Sequence, residues 1–548
     1  MKKLLTLLLL GACLCVWAGN DPASYNLQRA QEAFHNGDEK TAFSFLSNEL
    51  RTNPTNGYAH LYTAEVCEKL GYKSAVLNYG SKAIQLLWKA APDYVATMAC
   101  SIADIYLEAG DTVTALDYLD KALQANKKHR YTLLARAQLF EEAERAEQLR
   151  QVGEQYRRLY PKDYWGYVIL ARAYNMQARY DDALAQADKA LSLMQPGEDP
   201  VEMVLRSRSR AGIGLKRYQD ALSDAVKAAR ESMSYNALDL IAEIADSVPG
   251  STVTDTVRTA SLAAPAESGW PFILADIYVD RHDYVNAAYA MHEAVLIEPN
   301  AILLNSLGII YLNHLNAPEE AEQLYLRAIQ RDSTNESAYI HMASLCFDLR
   351  RYDDALRYAD KALSLCSSTS RMVSALRTRG HTYQFMHRND EALRDYYRAL
   401  VAKPDDSGLW FRIGRLHRLA GDSLLADKAF EQGRLTIGSD SAFTAEAWLA
   451  MGDFDKAVEA AATMVQDPES PYQHYNAACV YAQAGQADRA LDHLQSSFEY
   501  GLRNFLHIEW DTDLDNIRLL PRFNQLVERY KQQAEQDLTT LKQQLQQL

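Results

Sequence analysis

Apolar and small residues recur along this chain at three- and four-residue steps, in short stripes separated by polar breaks. That pattern predicts a long succession of paired amphipathic helices. Arg351–Leu365, RYDDALRYADKALSL, shows the unit. Tyr339, Met342, Ala343 and Cys346 draw the stripe before it, Ala355, Ala359 and Ala362 the stripe within it, and Arg350-Arg351-Tyr352-Asp353 forms the break. The chain writes this stretch again. Arg179–Leu193 differs from it at two positions, and Arg217–Ala229 and Asp111–Leu123 are looser copies. The two best copies lie close to a whole multiple of about 34 residues apart, which marks a repeat array.

A large residue, Leu, a small residue and Tyr on a first helix, then two alanines on a second and a closing proline, make a pattern that resembles the tetratricopeptide repeat. The resemblance covers nearly the whole chain beyond its first residues. It implies an all-α, right-handed superhelical solenoid of about fourteen helix–turn–helix units. An N-terminal array spans 23–231, opening with Ala30, Gly37-Asp38, Ala42 and Pro54. Residues 232–267 are degenerate: Ser247-Val248-Pro249-Gly250-Ser251-Thr252 is not the usual turn, and the segment reads as a hinge or as an ordinary loop. A second array spans 268–504, beginning with the nearly ideal Leu274, Ala275, Tyr278, Asp283-Tyr284, Ala287, Ala294 and Pro299. Small residues on the first helix let the second approach, and an added methylene there would cost roughly 1–3 kcal/mol.

Residues 505–548 read as a helical cap followed by a polar amphipathic tail. Val527, Ala534, Leu541 and Leu548 fall at seven-residue steps, a seam that either pairs with a second copy through 527–548 or folds back on its own array.

The first residues look like a targeting segment. Lys2 and Lys3 precede an apolar run from Leu4 to Trp17, and a signal peptide over 1–18 with cleavage after Ala18 is expected, giving a periplasmic or secreted protein of a bacterium. Leu10-Gly11-Ala12-Cys13 also resembles a lipobox, which would anchor the chain to a membrane through Cys13. No other stretch is apolar enough to span a bilayer. Seven cysteines, less Cys13 and Cys15 in the leader, leave five that are scattered without metal-ligand spacing and are expected as buried free thiols. The net charge of −15 argues against nucleic-acid partners.

No phosphate loop, zinc-protease or nucleophile-elbow motif is present, so no catalytic, cofactor or metal residues are expected and the chain is read as non-enzymatic. Acid pairs such as Asp353-Asp354 and Asp181-Asp182 stand where a second helix begins and suit the helix dipole. One constellation stands out. On first helices, at positions turned from the packing stripe toward the groove, lie Arg377, His381, Arg412, Arg415 and Arg418, with a smaller set at Arg172, Arg206 and Arg210. Arginines there suit carboxylate recognition, or else pair with acids of neighbouring helices. The family's carboxylate clamp of Lys and Asn cannot be traced. The function expected is an envelope scaffold that binds a protein or peptide partner, through an acidic group or a C-terminal carboxylate. The rival is a lipid-anchored or self-associating structural component.

Overall fold

The computed structural model describes residues 24–195, 201–248, 250–436, 445 and 448–546. The leader, Cys13 and Leu548 lie outside the described residues. The chain divides into two compact units between Ile244 and Ala245, here called unit 1 and unit 2. That division runs through the helix Tyr235–Ser247, inside the segment whose turn is irregular.

The described elements are helical, in pairs. Unit 1 holds six packed pairs, from Tyr25–His35 with Glu39–Thr52 to Val201–Gly214 with Tyr218–Glu231. Unit 2 holds five from Gly269–Asp280 with Tyr284–Ile297 to Ser407–Leu419 with Ser423–Thr436, and a further pair Pro471–Gln483 with Ala487–Glu499. The helices Tyr235–Ser247, Thr252–Ala263 and Phe454–Ala461 continue the series among the described residues, in keeping with the fourteen or so units expected. The irregular stretch before Thr252 is held within unit 2: the Arg281 guanidinium donates to the carbonyls of Gly250 at 2.6 Å and Val248 at 3.2 Å.

The residues that repeat are the residues that pack. Ala183, Ala187 and Ala190, like Ala355, Ala359 and Ala362, are completely buried. Where the small first-helix residue is glycine, an aromatic ring fills the space: a Cβ on Gly380 would lie 2.5 Å from the Tyr396 ring, and one on Gly308 the same distance from Tyr325. The turn between paired helices passes through the left-handed region. Gly71 and Gly110 occupy it freely, whereas Ala178 (φ 54°) and Arg350 (φ 60°) hold it at a cost. The acids that open the second helix also pair locally, Asp354 with Arg357 at 2.8 Å. The five cysteines are free thiols, four of them buried and Cys366 half-buried.

Two further arginines tie pairs together in the same manner in each unit. Arg208 grips Asp224 with Nε at 2.7 Å and Nη2 at 2.6 Å and reaches Asp188, while Arg379 grips Asp395 at the same two distances and reaches Asp360. Such two-pronged pairs fix geometry as well as supplying energy.

Of the two courses expected for the tail, it takes the fold-back on its own array. Pro521–Leu545 is one long helix whose Ala534 and Leu541 are completely buried. It packs against Tyr284–Ile297 of its own unit, and Lys542 pairs with Glu320 at 2.7 Å. The seam expected to allow self-association through 527–548 is therefore occupied within the chain.

Candidate functional site

The expected site residues lie on two consecutive first helices of unit 2, Thr369–Phe385 and Ser407–Leu419. The structure sorts them into two groups. Arg377 donates to Asp406 Oδ2 at 2.8 Å, and Asp406 caps the next helix by accepting from the Leu409 amide. Arg418 donates to the Ala450 carbonyl and lies over the Phe430 ring, 4.7 Å from its centroid. Both serve as stitches between neighbouring elements.

His381, Arg412 and Arg415 instead line one cavity of about 300 Å³. Arg412 makes no hydrogen bond or ion pair among the described residues, and the nearest carboxylate to Arg415 is Asp513 at 3.9 Å. His381 Nε2 is buried without a hydrogen-bond partner. Burial holds the His381 pKa well below its ordinary value, and the charges of Arg412, Arg377, His507 and Arg415 push it further down. This wall thus sets a neutral imidazole beside one guanidinium, that of Arg412, with no counter-charge among the described residues.

The other wall comes from the C-terminal part of unit 2. Tyr475 donates to Asp511 Oδ2 at 2.6 Å, and His507 sits between Asp348 at 3.2 Å and Asp511 at 3.7 Å. Arg350 lies over the Trp510 ring, 3.4 Å from its centroid. Burial opposes charge on His507, but Asp348, Asp511 and Asp513 outweigh it and raise its pKa. Cys479, Asp511 and Asp513 each bring one donor atom within 4.8 Å of the others. Tyr475, His507 and Arg415 already attend those carboxylates, so the set is balanced without a cation. Burial, then the charges of Asp511 and Asp513, drives the Cys479 thiol far up, so it stays protonated and unreactive.

This second wall was missing from the sequence reading. A signal existed: Glu509, Asp511, Asp513 and Asp515 place acids on alternate positions of the very segment that lacks the repeat signature. Their complementarity to Arg350, Arg412 and Arg415 could have suggested the fold-back. The smaller arginine set, in unit 1, is fully engaged. Arg206 pairs with Glu202 at 3.1 Å, Arg172 with Glu141 and Arg210 with Glu243.

Comparison with known proteins agrees with the geometry of the pairs. Residues 274–336 and 336–369 match the tetratricopeptide repeat. Over 121 residues the chain is 35% identical to peptidyl-prolyl cis-trans isomerase CYP7 of Saccharomyces cerevisiae, covering 22% of this chain and 30% of that protein. Over 169 residues it is 23% identical to protein O-mannosyl-transferase TMTC1 of Homo sapiens, covering 31% of this chain and 19% of that one. The chain thus spans less than a third of either relative. Among solved structures, a tetratricopeptide repeat protein from Parabacteroides merdae aligns over 53% of this chain and 98% of its own, at 16% identity and a TM-score of 0.35. Residues 274–369 are thus tetratricopeptide repeats, and the helix pairs on either side follow the same all-helical plan.

Proposed function

We propose that this protein is a non-enzymatic scaffold that holds a protein or peptide partner at the first-helix face of unit 2. An acidic side chain or C-terminal carboxylate of the partner meets Arg412 and Arg415, with His381 beside them. One observation supports this above the rest: Arg412 has no counter-charge among the described residues and shares its cavity with the buried, unpartnered Nε2 of His381. A half-buried Arg412 without a counter-charge is costly to hold, and an incoming carboxylate would offset that cost through bidentate hydrogen bonds. Arg377 and Arg418, already engaged, frame the site rather than grip the ligand.

The test uses fluorescent peptides ending in glutamate, with a free or an amidated C-terminus, titrated into the full chain. Binding that weakens at least tenfold in R412A/R415A supports the site, and preference for the free acid identifies the terminal carboxylate as the group held. Equal affinity of wild type and R412A/R415A would remove the assignment.

The leader supports a place for this activity, in or beyond the bacterial envelope. The rival reading, a membrane-anchored component, is favoured by Leu10-Gly11-Ala12-Cys13. Fractionation of wild type and Cys13→Ala separates the two: a protein that leaves the membrane fraction only in the variant is lipidated.

A further inference from the structure

The segment that forms the cavity's second wall reaches it by crossing the first helices of its own unit, and histidines mark the crossing. Tyr284 donates its hydroxyl to the Tyr500 carbonyl at 2.7 Å. His314 Nδ1 donates to the Gly501 carbonyl at 3.0 Å, and its ring stacks flat on Tyr284 with centroids 4.1 Å apart. The Arg503 amide donates to the Asn313 carbonyl at 2.7 Å. Gly501 stands at φ 99°, and a Cβ there would collide with the Tyr284 hydroxyl, so the crossing is fitted to a glycine. Farther along, Asn504 and His507 both reach Asp348.

We propose that this crossing is a proton-sensitive closure of unit 2, held at neutral pH and released by acid, with His314 as its sensor. The Gly501 carbonyl can accept from either form of the ring, and burial without an acid against it is what favours neutral His314. The groups that bear on its ring are Tyr284 and His282 from the second helix of the neighbouring repeat and the turn before it, and Arg503 from the crossing segment; the acids act at one remove, Asp280 on Tyr284, Asp537 on Arg503, and Asp467 and Glu469 on His282. A proton on His314 would create a buried cation facing Arg503. A second histidine pair lies beside the crossing. His474 Nε2 donates to the Pro468 carbonyl, so its Nδ1 accepts from His493 Nδ1 at 3.0 Å. Both rings cannot be charged at that separation, and the stacked neighbours Tyr500 and Tyr481 offer no counter-charge. Near His493 the charge of Asp492 outweighs that of Arg489, while burial and His474 lower its pKa.

Burial, with Arg503 and His282, lowers the His314 pKa to about 4. The released state titrates at its ordinary value of about 6.5, so it takes up the proton first. The closure is therefore fully held above about pH 6.5 and loses stability progressively from there down to about pH 4. His507 works in the opposite sense: its raised pKa, set by Asp348, Asp511 and Asp513, favours closure once it is protonated. It clamps the far end while His314 loosens the near one.

That closure governs ligand entry rests on the function proposed above; release by acid does not, and the experiment contains no ligand. Hydrogen exchange of the full chain is followed by mass spectrometry for residues 500–510 at pH 7.5 and 5.0, corrected for intrinsic rates. The shift of His314 alone predicts about 30-fold less protection at pH 5.0, with helices of unit 1 unchanged. His314→Gln keeps a donor for Gly501 but cannot be charged, and should cut the acid effect to below about 3-fold. Gly501→Ala defines the open state at both pH values. Equal wild-type protection at the two pH values, or an undiminished acid effect in His314→Gln, would overturn the proposal. Should His314→Gln exchange like Gly501→Ala at pH 7.5, Asp348→Asn decides: its acid release should move to higher pH, and an unmoved midpoint sinks the idea.

Discussion

Two places on first helices, one in each unit, leave opposite charges unanswered. In unit 1 the groove arginines Arg172, Arg206 and Arg210 are each paired with a glutamate, and a group left over is acidic. Asp104 has no ion pair among the described residues, and burial together with the charges of Glu68 and Glu108 raises its pKa to about 7. Around the cavity of unit 2 the group left over is Arg412, while Asp280, at the end of that unit's Gly269–Asp280 helix, is an acid that burial, Asp276 and Asp246 raise to about 6. The difference arises one repeat away. Arg210 finds Glu243 33 residues on, and Arg377 finds Asp406 29 residues on. A groove position tells where a side chain points, whereas the neighbouring repeat decides whether it is free to meet a ligand.

Four experiments would break or sharpen this comparison. The largest effect is expected where the units are alike. Asp395→Ala would leave Arg379 largely buried without its partner, and Asp224→Ala would do the same to Arg208. Each should cost about 3–5 kcal/mol in denaturant unfolding, and each should unfold its own unit. If both variants lowered the stability of both units equally, the division at Ile244 would have no energetic meaning.

Next comes the unanswered acid. Asp104 holds its proton more tightly in the fold than in the unfolded chain, so its contribution is fully present below about pH 3.8 and disappears as pH rises through about 7. Asp104→Asn should therefore stabilise unit 1 by about 1–3 kcal/mol at pH 8 and leave it nearly unchanged at pH 4, in thermal melts. A gain of the same size at both values would trace the effect to packing instead. The unanswered cation comes third. R412A/R415A should lose about tenfold, or 1.4 kcal/mol, in affinity for an acidic peptide, while R206A/R210A in unit 1 changes it by less than about twofold. Smallest is Ala178→Gly, which relieves a left-handed residue and should raise unit 1 stability by roughly 0.5–1 kcal/mol in urea titration. A loss there would mean that the glycine's freedom in the unfolded chain outweighs the relief.

Much of the fold was legible because packing residues repeat. Ala355, Ala359 and Ala362 announce a buried second-helix face, and Gly380 announces the ring that Tyr396 lays over it. The bidentate grips of Arg208 and Arg379 were not seen, since their acids lie on different helices and no local spacing marks them. The site was half legible. His381, Arg412 and Arg415 stood out against an acidic background, but Arg377 and Arg418 looked equivalent to them until their partners were visible. The second wall was hidden for a different reason. Periodicity describes what adjacent units share, and the Tyr500–Asp513 segment makes its contacts far outside any period.

That segment also changes how unit 2 should fold. An open array propagates order from neighbour to neighbour, and its ends fray independently. Here Tyr284 and Tyr500 touch across 216 residues, and Lys542 and Glu320 across 222. Contacts of such separation can form only after the intervening repeats are in place, which slows folding and makes unfolding more all-or-none. Unit 2 should thus behave kinetically as a closed loop that opens at one seam, and unit 1 as a strip that peels from its end.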